Sequence, residues 1–273
     1  MWGIVLCMDI KQHKRNLSFE WQQADGPYRR VTNEQAQQYA QLGGFVLQDA
    51  FDKNTIKSLV DELDQFEQQA NEALADLPTG QPTISRHNQI VFNAHLVNRS
   101  EKARKFTCNQ VFVDLCNDLI GQPTRLYWDQ LVYKRPGTEA NFPWHQDNGY
   151  TYVEPQQYLT CWVALTDATV DNGCPWIAPG LHKSGTLAHQ WSDLGFVCFD
   201  DDPDNAMPLE VSAGSIAVFS SLTPHRTGPN LTDDIRKSYI VQFAPDGAMV
   251  YPSWGETNQP FAANDEERQF LIT

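Results

Sequence analysis

The stretch "RLYWDQLVYKRPG" (residues 125–137) marks where the character of the chain changes. It is rich in β-branched and aromatic residues, and Pro136 and Gly137 close it, which is the signature of a strand ending in a turn. Four more runs of the same kind follow: "YLTCWVALTDA" (158–168), "CPWIAPG" (174–180), "GSIAVFSS" (214–221) and "RKSYIVQFAP" (236–245). Each is too short, and too regularly interrupted by Gly, Pro, Asn or Asp, to be a helix. Residues 122–273 therefore read as a mostly β-strand core.

Upstream the pattern is helical. Residues 1–30 are polar and irregular, and residues 31–121 are mostly helix. In "VTNEQAQQYAQLGG", Thr32 is placed to cap a helix, Gln35 to complete a capping box, and Gly43 and Gly44 to stop it. "FVLQDAF" (45–51) reads as a short strand. A second helix starts at Asp52, with Ile56, Leu59, Val60, Leu63 and Phe66 on one face, and "KFTCNQVFVDLCNDLIG" (105–121) reads as a third that ends at Gly121. Helices followed by many short strands predict a mainly β fold, a sandwich or barrel buttressed by N-terminal helices. No linker divides the chain, so residues 1–273 are expected to form one domain.

The bulk properties narrow the function. The 273 residues carry a formal charge of −14, and 41% are hydrophobic. A surface this acidic repels phosphate backbones and anionic lipid heads, which argues against nucleic-acid and membrane partners. The six cysteines (Cys7, Cys108, Cys116, Cys161, Cys174 and Cys198) include no CxxC pair and read as small buried hydrophobes in a reducing compartment. The start "MWGIVLCMDI" has no basic n-region. The expected location is the cytoplasm. Oligomeric state is not legible.

The chemistry-bearing stretch is "PWHQDNGY" (143–150). On an extended strand, His145 and Asp147 aim an imidazole and a carboxylate at one point, a pair that suits a divalent metal. Alone the pair is weak evidence, since His-x-Asp occurs by chance in many chains. Among the other histidines, His225 in "SSLTPHRTGPN" is the best third ligand, because it follows the apolar strand "GSIAVF"; the alternative is a surface turn histidine. Two His and one Asp make the facial triad of non-haem Fe(II) oxygenases, which leaves positions open for a co-substrate and O₂. Such a co-substrate needs a cationic anchor. Arg236 stands 11 residues after His225, where a strand returning beside it can offer a guanidinium to a carboxylate, with Thr227 adding a hydroxyl.

The order and spacing of "WHQD", "NGCPWIAPGLHKSG" and "PHRTGPNLTDDIRKSYIVQF" closely resemble the phytanoyl-CoA dioxygenase (PhyH-like) family of Fe(II)/2-oxoglutarate oxygenases, from about Phe45 to the C-terminus. The resemblance implies a double-stranded β-helix (jelly roll, cupin-like) with helices on one outer face. It implies Fe(II) held by His145, Asp147 and His225, and 2-oxoglutarate held by Arg236 and Thr227 with Trp162 and Gln130 beside it. Two departures stand out. Leu181 replaces the serine of the family's "PGSH" segment, and no lysine in "RHNQIVFNAHLVNRS" matches the family's second basic contact to 2-oxoglutarate. Related halogenases lack the carboxylate ligand, so Asp147 points to hydroxylation.

The expected function is therefore an Fe(II)- and 2-oxoglutarate-dependent dioxygenase that uses O₂ to hydroxylate an unactivated C–H of a small molecule, with release of succinate and CO₂. Asn148, Tyr150, Trp144 and Trp176 are the candidate substrate contacts, with Tyr152 as a further wall. The competing readings are a non-catalytic jelly-roll binding protein and a cupin-like metalloenzyme that uses its metal as a Lewis acid.

Overall fold

A computed structural model describes residues 10–77, 83–252 and 259–273. Its N-terminal part holds helices α1 (Asn33–Leu42), α2 (Lys53–Ala75), α3 (Glu101–Thr107) and α4 (Gln110–Leu119), with strands β1 (Gly44–Leu47) and β2 (Ile90–Ala94) threaded among them. Then come β3 (Thr124–Lys134), β4 (Phe142–His145), β5 (Tyr152–Glu154), β6 (Leu159–Ala164) and β7 (Pro175–Ile177). A hairpin of β8 (Gln190–Ser192) and β9 (Gly195–Val197) precedes β10 (Met207–Pro208), β11 (Ile216–Ser220) and β12 (His225–Thr227). The chain closes with β13 (Arg236–Pro245), β14 (Met249–Tyr251) and β15 (Phe261–Ala262).

Local sequence explains the helix ends. Thr32 and Gln35 form the capping box of α1, and Gly43, at φ +92°, takes the left-handed turn that stops it. A side chain at Gly43 would meet Thr223 Oγ1 at 2.5 Å and His182 Nδ1 at 2.7 Å, so glycine is required for space as well as for conformation. The Asp52 carboxylate accepts from the N–H groups of Asn54 and Thr55 and starts α2. The expected third helix is in fact two. Asn109 leaves the helical conformation (φ −60°, ψ 143°), and its side chain accepts from Val111 N, capping a new helix where the periodicity reads through.

The strands form a jelly roll. The major sheet has the order β1-β11-β6-β13-β3-β2 and the minor sheet β10-β7-β12-β4, every pairing antiparallel. Residues on β13 alternate between the two faces. Tyr239, Val241 and Phe243 join Leu59 and Leu63 of α2 and Phe112 and Leu115 of α4 in the larger apolar core, so the helices cover the outer face of the major sheet. Ile240 points the other way, packing with Val132, Trp162, Ile177 and Phe219 in the interior between the sheets. Each fully buried Leu or Phe contributes about 1.5–3 kcal/mol. Arg236, Ser238, Ile240 and Gln242 share the inward parity, so β13 delivers polar groups into the sandwich at both ends of an apolar stretch. No helix among the described residues is long and apolar enough to cross a membrane.

Candidate active site

β4 and β12 are antiparallel neighbours in the minor sheet, and His145 and His225 face each other in register. Their ring centroids lie 4.1 Å apart. His145 is the last residue of β4, Gln146 stays extended (φ −108°, ψ 143°), and Asp147 opens a single helical turn, Asp147–Tyr150. The expected extended strand through Asp147 is thus corrected: the strand ends at His145. The i, i+2 geometry survives because Gln146 keeps the extended backbone. His225 also differs in placement. It begins its own strand, β12, and does not hang off the end of β11. The candidate ligand atoms of His145, Asp147 and His225 lie within 4.8 Å of one another.

Both imidazoles are fixed by the backbone. His145 Nδ1 donates to Pro143 O at 2.8 Å and His225 Nδ1 to Thr223 O at 2.9 Å, which leaves each Nε2 lone pair free. Burial pushes His145 down to about 3, with His225 adding to the effect, and pushes His225 down to about 4. Both rings are neutral at physiological pH, the form that binds metal. The Asp147 carboxylate lies 3.8 Å from His225 Nε2 and accepts from Thr160 Oγ1 at 2.6 Å. Burial raises its pKa above the ordinary carboxylate range. Such a pocket favours a cation that takes over the compensation of the charge.

Gln146, between the two candidate ligands, is held on both sides. Its N–H donates to His189 Nε2 at 2.9 Å, and its side-chain amide donates to Gly185 O and Leu222 O. His189 in turn donates from Nδ1 to Leu187 O at 2.9 Å. Gly149 lies against the same ring: an added Cβ would fall 2.1 Å from His189 Cε1.

Arg236 lies in the opposite sheet. β13 pairs with β3 and β6, not with β12, so the expected return beside His225 is corrected to a position across the sandwich. The side chain is 1% exposed. Nη1 donates to Ser238 Oγ at 2.8 Å and Val132 O at 3.3 Å, and the guanidinium lies 5.2 Å from the Trp162 ring centroid. Nε and Nη2 have no partner. Burial pushes the group down to about 10, so it remains charged at neutral pH.

Lys134 stands directly opposite Arg236 on β3. It is fully buried, and Nζ reaches Gly228 O at 2.6 Å, Ala140 O at 3.3 Å and Thr227 Oγ1 at 3.4 Å. Among the described residues neither Lys134 nor Arg236 has a carboxylate at ion-pair distance. Burial, with Arg236 and Arg226 adding to it, holds the Lys134 amine well below its ordinary value, so the unpartnered charge at this end is that of Arg236, a donor set that fits a carboxylate. The donor sets therefore fit both groups the sequence implies, a divalent metal and a dianionic co-substrate.

One cavity of about 310 Å³ joins these parts. His145, Asp147, His225, Arg236, Thr227, Trp162, Gln130 and Tyr150 all line it. Gln130 is itself oriented, accepting from Trp128 Nε1 at 3.1 Å. Three of the four expected substrate contacts fall elsewhere and are corrected. Asn148 is buried and spends its amide on Thr186 Oγ1 and Val153, holding the loop after Asp147. Trp144 donates to Asp202, and with Trp176 it flanks the Arg226 guanidinium. Tyr152, too, turns away, bonding Arg15 O and Glu154. Lys134, Tyr127, Tyr158 and His189 are the site residues that sequence reasoning missed. Lys134 shares its parity on β3 with Gln130 and Val132, which was a usable signal. Tyr127 carried none: a β-bulge opposite Gln242 and Phe243 leaves it out of register and turns it onto the cavity.

A jelly roll that gathers two histidines and a carboxylate at its mouth, with a buried unpaired arginine behind them, has the donor set of a facial triad beside a carboxylate anchor. Residues 39–238 match the phytanoyl-CoA dioxygenase (PhyH) family, and the chain belongs to it. It is 28% identical over 143 residues to a phytanoyl-CoA dioxygenase of Arabidopsis thaliana, covering 50% of this chain and 50% of that protein. Phytanoyl-CoA dioxygenase 1 of Oryza sativa subsp. japonica is 35% identical over 47% of this chain and 48% of its own. The chain thus spans about half the length of these curated relatives. Among solved structures, the non-haem alpha-ketoglutarate-dependent carbocyclase SnoK from nogalamycin biosynthesis shares the fold, with a TM-score of 0.71 and 20% identity over 91% of this chain and 100% of that one.

Proposed function

We propose that the protein is an Fe(II)- and 2-oxoglutarate-dependent dioxygenase that hydroxylates an unactivated C–H bond of a small molecule and releases succinate and CO₂. The observation that carries this reading is the joining, in one cavity, of a neutral His145/His225 pair and Asp147 to the unpaired Nε and Nη2 of Arg236. When bound, the iron and 2-oxoglutarate supply the oxidising chemistry. The protein supplies geometry. His145, Asp147 and His225 would hold the metal. Arg236 takes the distal carboxylate of 2-oxoglutarate through its two free N–H groups. Thr227 offers a hydroxyl whose oxygen is engaged by Lys134, so its proton is available to the same carboxylate. Trp162, 5.2 Å from the guanidinium, helps wall this end of the cavity. No side chain has to act as general base, and none stands apart from the triad in a paired-carboxylate arrangement within the cavity.

The five described cysteines are free, which supports a reducing compartment and hence the cytoplasm; Cys7 lies outside the described residues. A non-catalytic binding protein has no need of an unpaired guanidinium behind an intact triad, and a Lewis-acid cupin has no need of Arg236. Anaerobic addition of Fe(II) and 2-oxoglutarate separates the readings: a weak visible charge-transfer band is expected, lost in Asp147→Ala and weakened in Arg236→Ala. Absence of the band, together with no succinate formed in air, would sink the oxygenase reading.

A further inference from the structure

The cavity has a second end, away from Arg236, which the co-substrate does not explain. Tyr127, from the bulge of β3, and Tyr158, just before β6, line it, with ring centroids 5.2 Å apart in a T-shaped pair. Tyr158 is 1% exposed and Tyr127 8%. Neither hydroxyl makes a hydrogen bond with any described residue, although nearly every other buried tyrosine of the chain does: Tyr133 bonds Asp64 and Tyr239 bonds Asp129. Neither oxygen is among the buried atoms left without a partner, so both hydroxyls open onto the cavity, where a ligand can take up their bonds. Burial above all, with the Asp147 carboxylate adding to it, holds both phenols far above their ordinary range, so both keep their protons. The same cavity is lined by Trp128 and Tyr150, with Thr151 and Gln242 as uncharged polar groups.

The charges of this end are as telling as its rings. Arg236 is the one Lys or Arg that lines the cavity, and Asp147 the one acid. The residues outside the described ranges (1–9, 78–82 and 253–258) contain no Lys or Arg at all, so no cation of those segments can complete the wall. An anionic group at this end would meet no Lys or Arg among the described residues. Among the described residues that line the cavity, a cationic group would find no acid other than Asp147, which the metal would claim.

We infer that the substrate is a neutral, oxygen-bearing ring compound whose hydroxyl or carbonyl oxygen is received by the Tyr127 and Tyr158 hydroxyls while its ring lies against Trp128 and Tyr150. This rests on the oxygenase reading above and deepens it. Phosphorylated, CoA-linked and carboxylate substrates are excluded from this end, because nothing there neutralises them. Aromatic walls suit a ring face, and two phenols can both donate to one carbonyl oxygen or share a hydroxyl that accepts from one and donates to the other.

The test is a titration of anaerobic protein loaded with Fe(II) and 2-oxoglutarate. Formation of the charge-transfer band reports the co-substrate site first, so its failure counts against the proposed function and leaves the second end to be read by calorimetry on the protein alone. The probes are matched sets of one- to three-ring compounds that share a skeleton and differ only in one group: alcohol or ketone, carboxylate, and amine. Neutral members should bind and shift the band, with the carboxylate and amine counterparts at least about tenfold weaker. Tyr127→Phe and Tyr158→Phe, which keep the paired rings, should each weaken the neutral compound about fivefold and leave the 2-oxoglutarate band unchanged. Charged counterparts that bind as tightly as neutral ones, neutral compounds indifferent to both substitutions, or a panel in which no neutral member binds would each overturn the inference.

Discussion

Replacing Arg236 by Met should make the ligand-free protein more stable and nearly unable to bind 2-oxoglutarate. The two effects have one source. Burial lowers the guanidinium from 12.5 to about 10, which means that holding the charge in the ligand-free fold costs about 3 kcal/mol. Met has similar length and no charge to desolvate, so that cost disappears. Against this stand the two bonds from Nη1, to Ser238 Oγ and Val132 O. Their loss is softened because Ser238 Oγ already donates to Val132 O at 2.9 Å, so no acceptor is orphaned and about 1–2 kcal/mol is forfeited. The net gain is about 1–2 kcal/mol, or a melting temperature about 3–6 °C higher. Binding moves the other way. Two charge-assisted bonds from Nε and Nη2 contribute about 1.5–3 kcal/mol each, so the dissociation constant for 2-oxoglutarate should rise about 10²- to 10⁴-fold. Thermal melts with and without 2-oxoglutarate, read by circular dichroism, check both signs. Wild type should gain about 2.7 kcal/mol at a hundredfold excess over its dissociation constant, and the variant nothing measurable. A ligand-free variant that melts several degrees below wild type would make Arg236 a structural residue. A variant still protected by 2-oxoglutarate would place the anchor elsewhere.

Further outcomes follow from neighbouring groups. Lys134→Met removes the donor that engages Thr227 Oγ1, and 2-oxoglutarate affinity measured by calorimetry should fall about tenfold. His189→Phe takes the acceptor from Gln146 N between the two candidate ligands, and metal affinity in competition with a chelator should fall about 10- to 100-fold while the fold persists. His182, fully buried, is pushed from 6.5 down to about 4, so between those values the unfolded chain binds the proton and the folded chain does not. Its contribution is complete above about pH 6.5 and declines as pH falls toward about 4, by about 3 kcal/mol in all. Urea midpoints across that range should drop on acidification, and His182→Gln should flatten the slope.

Much of the fold was legible because its signals are local. Thr32, Gln35 and Gly43 bound α1 wherever they occur, and the run 125–137 reads as a strand without knowledge of its neighbours. The break at Asn109 was hidden because apolar periodicity crosses it, while the competing side-chain bond to Val111 N is a one-residue event. The triad residues and Arg236 were legible as residue types at a spacing, but their arrangement was not. Spacing along the chain does not say that β12 and β13 enter different sheets, which is a matter of long-range pairing. The substrate end was the least legible. Trp144, Asn148 and Trp176 are neighbours in sequence of functional residues, yet strand alternation and turns point them outward or into the loop scaffold. Tyr127 reaches the cavity only through a bulge, which shifts parity by one.

The register of His145 against His225 bears on how the centre is filled. The two rings are brought together by β4–β12 pairing and locked by the carbonyls of Pro143 and Thr223. In small zinc domains the ion creates the fold; here strand pairing and backbone hydrogen bonds, set in a large apolar core, orient the two imidazoles. Extraction by a chelator should therefore yield an intact jelly roll that recharges on re-addition of Fe(II). Competition among divalent ions for the vacated chelate is then decided by ligand chemistry and supply inside a finished protein.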